Sequence, residues 1–370
     1  MHVPYIDLKR LEDGLLDRWV DKVRHLSENT AFVGGKEVQQ LEETLQSENE
    51  VDFAIACANG TDALQIALRA AGVSRGDTVL LPDFTFWATF EAVVNAGAEP
   101  VTVDVDPDEL HMDYDLFVRA LDEYRPKAAM LVHLYGWGTS RLADFRALCK
   151  ERGVVLIEDG AQVYGARYKG ESVYKGAEIS TISFYPAKVL GAAGDAGAVL
   201  TSNPEFAARA RSIGNHGRSQ HYAHGYVGWN SRMDSFQAAY LNMALEHLPA
   251  RIESRRTAGR FYREAFADTS LNCITPPADY EENGYLNLLL FEPAVREKLT
   301  ALLKEKGIGF SMVYPGAMSE QEGASTYLKG KMGGEHASRL GKSVLNLPLF
   351  PYIRQDELDE VVAIVKGFQA

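Results

Sequence analysis

Cysteine is scarce in this chain of 370 residues: Cys57, Cys149 and Cys273, an odd number with no paired spacing. That excludes a disulfide frame and a Cys-based zinc site, and it fits reduced thiols in a cytoplasmic protein. No apolar run approaches the ~20 residues needed to span a bilayer, and MHVPYIDLKRLEDG has no apolar core of a signal peptide. Positive charge is also short: Lys and Arg number 38 against 51 Asp and Glu, a net charge of −13. Such a balance argues against a nucleic-acid surface, which needs dense basic patches, though a local pocket can still take an anionic small molecule. The motifs G-x-x-x-x-G-K-[ST], H-E-x-x-H, G-x-S-x-G and Cys-x-x-Cys are all missing. The stretch GAAGDAG (191–197) imitates a dinucleotide loop, but a strand pattern follows it, so it reads as a loop of close backbone approach. Hydrophobic residues at 46% and charged residues at 24% exclude disorder, and the length fits two domains.

What is present alternates. Apolar runs at 54–58, 78–82, 100–105, 127–133, 154–158, 180–184 and 196–202 are separated by helical patterns at 61–71, 88–96, 114–124 and 142–152. Runs without polar alternation fit strands buried on both faces of a mostly parallel sheet of seven strands. Ligands of such α/β domains collect at the carboxyl ends of the strands. Beyond this the pattern predicts a helix over 231–248 capped by Ser231 and a longer one over 251–266. Then follow strands at 285–291 and 309–313, a helix between them over 294–306, a loop at 315–326 and a terminal helix over 355–367. The reading is a large α/β domain, 1–245, and a smaller C-terminal α+β domain, 246–370.

Four polar clusters stand where strands end. Asn59-Gly60-Thr61-Asp62 opens a helix, which makes it an ordinary cap or a site for an anion. Glu158-Asp159 closes an apolar run and precedes Gln162; a solvated turn would look the same. Ser183 ends another run, and Lys188 follows in a loop of small residues. Most lysines are solvated surface charges, but an amine held in such a loop can attack a carbonyl. GWNSRMD (228–234) precedes a helix and by itself is a capped start with a surface arginine.

Together the four clusters resemble the DegT/StrS family of nucleotide-sugar aminotransferases, which have the fold-type I architecture and depend on pyridoxal 5′-phosphate. The likeness runs through FVGGKEVQQLE (32–42), CANGTDAL (57–64), TFWATFEAV (85–93), VLIEDGAQVYGARYKG (155–170), SFYPAKVLGAAGDAGAV (183–199), HGR (216–218), GWNSRMDSFQAA (228–239) and LPLFPY (347–352). It implies that Lys188 is the Schiff-base lysine and proton shuttle, and that Asp159 faces the pyridine nitrogen and keeps it protonated. It further implies that Gln162 sits beside the phenolic oxygen and that Phe86, with Trp87 as the alternative, stacks on the ring. Gly60, Thr61 and Asp62 would present amides to the phosphate, Ser183 a hydroxyl, and Asn230 would reach the partner's phosphate across a homodimer. Many relatives carry a histidine in the stretch matched by GYLNLLLF (284–291) and another in that matched by YPGAMSEQ (314–321); neither is present here.

The implied reaction moves an amino group from L-glutamate to a 3-keto or 4-keto-6-deoxyhexose on UDP or dTDP, with no metal. The same fold includes sugar dehydratases, one type with histidine in place of the lysine and one with an iron–sulfur cluster. Lys188 and the three scattered cysteines argue against both. A non-catalytic regulatory member is a further alternative, but it would not need the lysine, the aspartate and the phosphate-binding set together.

Overall fold

A computed structural model of the chain describes residues 2–10, 12–269 and 271–368. Its central sheet has eight strands: β1 Phe53–Cys57, β2 Thr78–Pro82, β3 Glu99–Val103, β4 Ala128–Val132, β5 Val155–Asp159, β6 Ile179–Ser183, β7 Gly197–Thr201 and β8 Gly330–Met332. They lie in the order β1-β7-β6-β5-β4-β2-β3-β8. Only β7 runs against the rest, pairing antiparallel with both β1 and β6. Every residue of β2 and β4 is buried, as expected of strands covered by helices on both faces.

The sheet therefore has one strand more than the seven expected. The eighth, Gly-Lys-Met, pairs parallel with β3, Gly330 opposite Val101. Three residues led by a glycine carry no apolar alternation, so nothing in their composition marks a strand.

The helices between the strands follow the predicted rhythm at Gly60–Ala70, Trp87–Asn95, Tyr114–Tyr124 and Leu142–Arg152. Side chains start them: Asn59 Oδ1 accepts from the Asp62 N–H, and Asp113 Oδ1 from the Leu116 N–H. Two helices that the sequence pattern had not marked, Leu15–Glu28 and Gly35–Asn49, precede β1. The helices predicted over 231–248 and 251–266 are Ser235–Leu245 and Leu248–Phe266. The first is capped by Asp234, whose carboxylate takes the Gln237 N–H. Ser231 is not the cap; its buried hydroxyl accepts from the Ala58 N–H across the fold at 3.3 Å. The predicted strand at 309–313 reduces to a single bridge between Ser311 and Asn346, and that at 285–291 to Leu288–Leu290.

Residues from both chain ends form a separate apolar cluster. Val3 packs there with Tyr262, Phe266, Leu289, Leu303, Leu345 and Val361. Among the described residues no helix is long and apolar enough to cross a membrane. Cys57, Cys149 and Cys273 are free thiols, the first two buried.

Candidate active site

A cavity of about 730 Å³ opens at the carboxyl edge of the parallel strands. Gly60, Thr61, Phe86, Asp159, Gln162, Ser183 and Lys188 all line it. The topology explains the gathering: β5 delivers Asp159 as its last residue and β6 delivers Ser183 as its last. The helix after β1 begins at Gly60, and the loop after β6 returns Lys188 to the same edge.

Glycines let these segments meet. A Cβ on Gly60 would lie 2.6 Å from Ser183 Cβ, and one on Gly197 would lie 2.4 Å from the Asn59 carbonyl oxygen. A Cβ on Gly191 would fall 2.4 Å from the Pro186 carbonyl oxygen. The GAAGDAG stretch is thus the loop of close backbone approach that its composition predicts, pressing β7 and the lysine loop against the start of the 60–70 helix.

Asp159 is 5% exposed. Its Oδ2 accepts from the Thr89 hydroxyl and its Oδ1 from the Ala161 N–H, both at 3.1 Å. Burial pushes its carboxyl above the ordinary aspartate value, against those hydrogen bonds and the charges of Lys188 and His133. Behind it Glu158 is fully buried, bound by Arg146 at 2.7 and 2.8 Å and by His133 Nε2 at 2.9 Å. Burial alone would raise Glu158, but Arg146 outweighs it and the carboxyl falls to about 2. Two adjacent carboxylates on β5 thus differ: Glu158 already has its cation, and Asp159 faces the cavity without one in contact among the described residues.

Lys188 is half-buried, and its Nζ donates to the Tyr285 hydroxyl at 3.2 Å. The Gln162 amide is oriented at both ends: Oε1 accepts from the Tyr135 N–H, and Nε2 donates to the Tyr314 hydroxyl, each at 2.7 Å. Phe86 is 60% exposed and sits on the cavity wall, 6.2 Å from the Tyr314 ring. Trp87, the alternative, packs against Phe90 instead and lies outside the lining. Gly60 and Thr61 amides donate to no protein acceptor among the described residues. Asp62 differs from expectation: its amide is held by Asn59 Oδ1 at 2.8 Å, and it does not line the cavity. An amide used as a capping bond has no hydrogen left for a phosphate.

Asn230 is outside the cavity as well. It is exposed, its backbone bridges Asn215, and its Oδ1 accepts from Arg232 at 2.8 and 3.2 Å. Five further residues belong to the site or its support and were not singled out from sequence: Thr89, Tyr5, Arg255, Tyr285 and Tyr314. The last two lie within the stretches that lack the histidines of many relatives, which was the available signal. Thr89 is one turn beyond Thr85, with the two hydroxyls 2.9 Å apart.

These features fit a planar, anionic pyridine cofactor. A buried carboxylate awaits a cation, an amine stands across from it, an aromatic ring covers one wall, and open helix-start amides with a hydroxyl form an anion cradle too tight for a Cβ.

The model of the DegT/DnrJ/EryC1/StrS aminotransferase family matches residues 17–366. Among curated relatives, a pleiotropic regulatory protein of Geobacillus stearothermophilus is 34% identical, covering 100% of this chain and 99% of its own. The UDP-N-acetyl-3-dehydro-alpha-D-glucosamine 3-aminotransferase of Acidithiobacillus ferrooxidans is 33% identical, covering 98% and 97%. The crystal structure of S. venezuelae DesV in complex with a ketimine intermediate superposes with a TM-score of 0.93 at 31% identity, covering 99% and 98%. The fold and the cavity define a pyridoxal-phosphate-dependent aminotransferase. The chain belongs to the DegT/DnrJ/EryC1/StrS aminotransferase family.

Proposed function

We propose that this aminotransferase moves an amino group from L-glutamate to the ketone of a nucleotide-linked keto sugar, as a cytoplasmic homodimer. The observation that carries the reading is the pairing, across one cavity, of the Lys188 amine with the cation-free carboxylate of Asp159, beside the amides of Gly60 and Thr61. Relatives named as keto-sugar aminotransferases support the acceptor.

When bound, the cofactor supplies an electron sink that acidifies the carbon bearing the transferred nitrogen. Each residue then has a task set by its surroundings. Asp159 would hold a proton on the ring nitrogen, in an ion pair that its burial would strengthen. Thr89 and the Ala161 N–H keep the carboxylate aimed. Lys188 Nζ would anchor the cofactor and move the proton at the acidified carbon, with Tyr285 orienting the amine. Gly60, Thr61 and Ser183 would hold the phosphate, Phe86 would cover the ring face and Gln162 would meet the phenolic edge. Asn230, unplaced in its own chain's cavity, completes the phosphate cage of a partner subunit. The division into 1–245 and 246–370 belongs to the same proposal, supported by the separate apolar cluster around Tyr262 and Leu345.

Borohydride reduction of the cofactor-loaded protein should fix pyridoxal phosphate on the peptide bearing Lys188, and Lys188→Ala should abolish both fixation and turnover. Turnover against UDP- and dTDP-linked 3-keto and 4-keto sugars identifies the acceptor. A regulatory protein, as one relative is named, would bind a ligand with no reducible bond at Lys188.

A further inference from the structure

Arg255 lies within the Leu248–Phe266 helix, is 3% exposed, and lines the same cavity as Lys188. Its Nη1 donates to the main-chain carbonyls of Leu349 and Gly284 at 3.2 and 3.4 Å. Its Nε has no partner among the described residues. The ionisable groups that act on it are the phenols of Tyr285 and Tyr5 and a second cation, Arg251. Arg251 has its own counter-charge in Glu12, at 2.6 Å; Arg255 has none among the described residues. Burial lowers the guanidinium to about 10, which leaves it charged at neutral pH. Buried arginines are ordinarily paired, because an uncompensated buried charge is strongly destabilising. Gly284, in the left-handed region at φ +68°, presses so close that a Cβ there would meet Arg255 Cβ at 2.6 Å. The stem is therefore held where it is.

The charged side chains on the cavity wall are Asp159, Lys188, Asp195 and Arg255. Asp159 and Lys188 are committed to the cofactor, and Asp195 is exposed and acidic. One buried cation remains for an anion that enters. The two substrates of the proposed reaction differ in what they bring beside the reacting carbon. An α-amino acid brings a carboxylate one bond away; the sugar ring of the nucleotide-linked acceptor brings hydroxyls there, with its diphosphate farther off.

We propose that Arg255 is the receptor for the α-carboxylate of the amino donor and takes no part in holding the keto sugar. This rests on the aminotransferase reading above. A desolvated carboxylate would give the guanidinium its missing counter-charge. The same cavity could then serve both substrates in turn, reading one by charge and the other by shape.

The test uses the holoenzyme and follows the cofactor's absorbance in each half-reaction separately. The donors are L-glutamate and L-isoglutamine, the same molecule with its α-carboxyl as an amide. Arg255→Gln should raise the half-saturating concentration of L-glutamate by about a hundredfold. It should leave L-isoglutamine unchanged. The reverse half-reaction, from the amino form of the cofactor to the acceptor that the sugar panel yields, should also be unchanged. Arg255→Lys should restore part of the glutamate loss. Equal losses with both donors, or in both half-reactions, would overturn the assignment and leave Arg255 as a brace for the carbonyls of Gly284 and Leu349. If Arg255→Gln does not fold, Arg255→Lys carries the test: about a tenfold loss with glutamate and none with isoglutamine is expected. A wild-type protein that holds the cofactor at Lys188 yet reacts with no amino acid would overturn the functional reading itself.

Discussion

Replacing Asp159 by asparagine should act in opposite directions on the protein without cofactor and on the holoenzyme. The carboxylate is buried, and burial raises its folded pKa above the ordinary 3.8. A raised acid costs nothing below its unfolded pKa, and the cost of its charge grows as the pH rises from that value through the folded one. Asparagine removes that charge and orphans nothing. Its Oδ1 keeps the Ala161 N–H, its Nδ2 can donate to Thr89 Oγ1, and the Thr89 hydroxyl can turn to Thr85 Oγ1, 2.9 Å away. Above the folded pKa the cofactor-free variant should gain about 1 kcal/mol, or about 1 °C in its melting midpoint. With pyridoxal phosphate the sign reverses, because the protonated ring loses its buried partner. Breaking such a pair costs about 3–5 kcal/mol, about two to nearly four orders of magnitude in cofactor affinity. Melting curves with the cofactor stripped and at saturation, together with a titration of pyridoxal phosphate, read both effects. A lower midpoint without cofactor, or an affinity change below tenfold, would refute the reasoning.

Glu158→Ala leaves the half-buried Arg146 without its carboxylate and should cost about 3 kcal/mol by denaturant unfolding. Because Glu158 is depressed to about 2 from 4.5, its stabilisation is complete above pH 4.5 and is lost as the pH falls through 2. Glu158→Gln should therefore flatten the acid limb of the stability curve. Gly60→Ala drives a Cβ into Ser183 and should cost about 1–3 kcal/mol and weaken cofactor binding; the double variant with Ser183→Gly should recover the stability. Mixing Lys188→Ala subunits with Asn230→Ala subunits should restore activity, because a heterodimer then holds one site with neither defect; no recovery would place Asn230 in its own chain's site.

The parallel sheet was legible because strands buried on both faces leave unbroken apolar runs, and the cofactor wall because strand ends put polar residues next to those runs. Asp159, Ser183 and Lys188 could be picked from such local context. Arg255 and Tyr5 could not. They reach the cavity through the packing of a helix and the N-terminal segment far from Lys188 in sequence, and nothing in their immediate neighbours sets them apart. Asp62 misled because a helix start was read as uniformly open, whereas the Asn59 side chain had already closed its amide. Ser231 misled for the converse reason: Asp234, three residues on, has the better geometry for the same task.

The pairing of β8 with β3 has a consequence for how the chain is made. Residues 99–103 leave the ribosome more than two hundred residues before their outer neighbour, residues 330–332. Until then the rim of the nascent sheet offers unpaired main-chain groups to any other strand. Pro100 on that rim, which lacks an N–H, removes one donor. A chain stopped at residue 245 keeps that rim open for good, and light scattering should find it self-associating beyond any dimer.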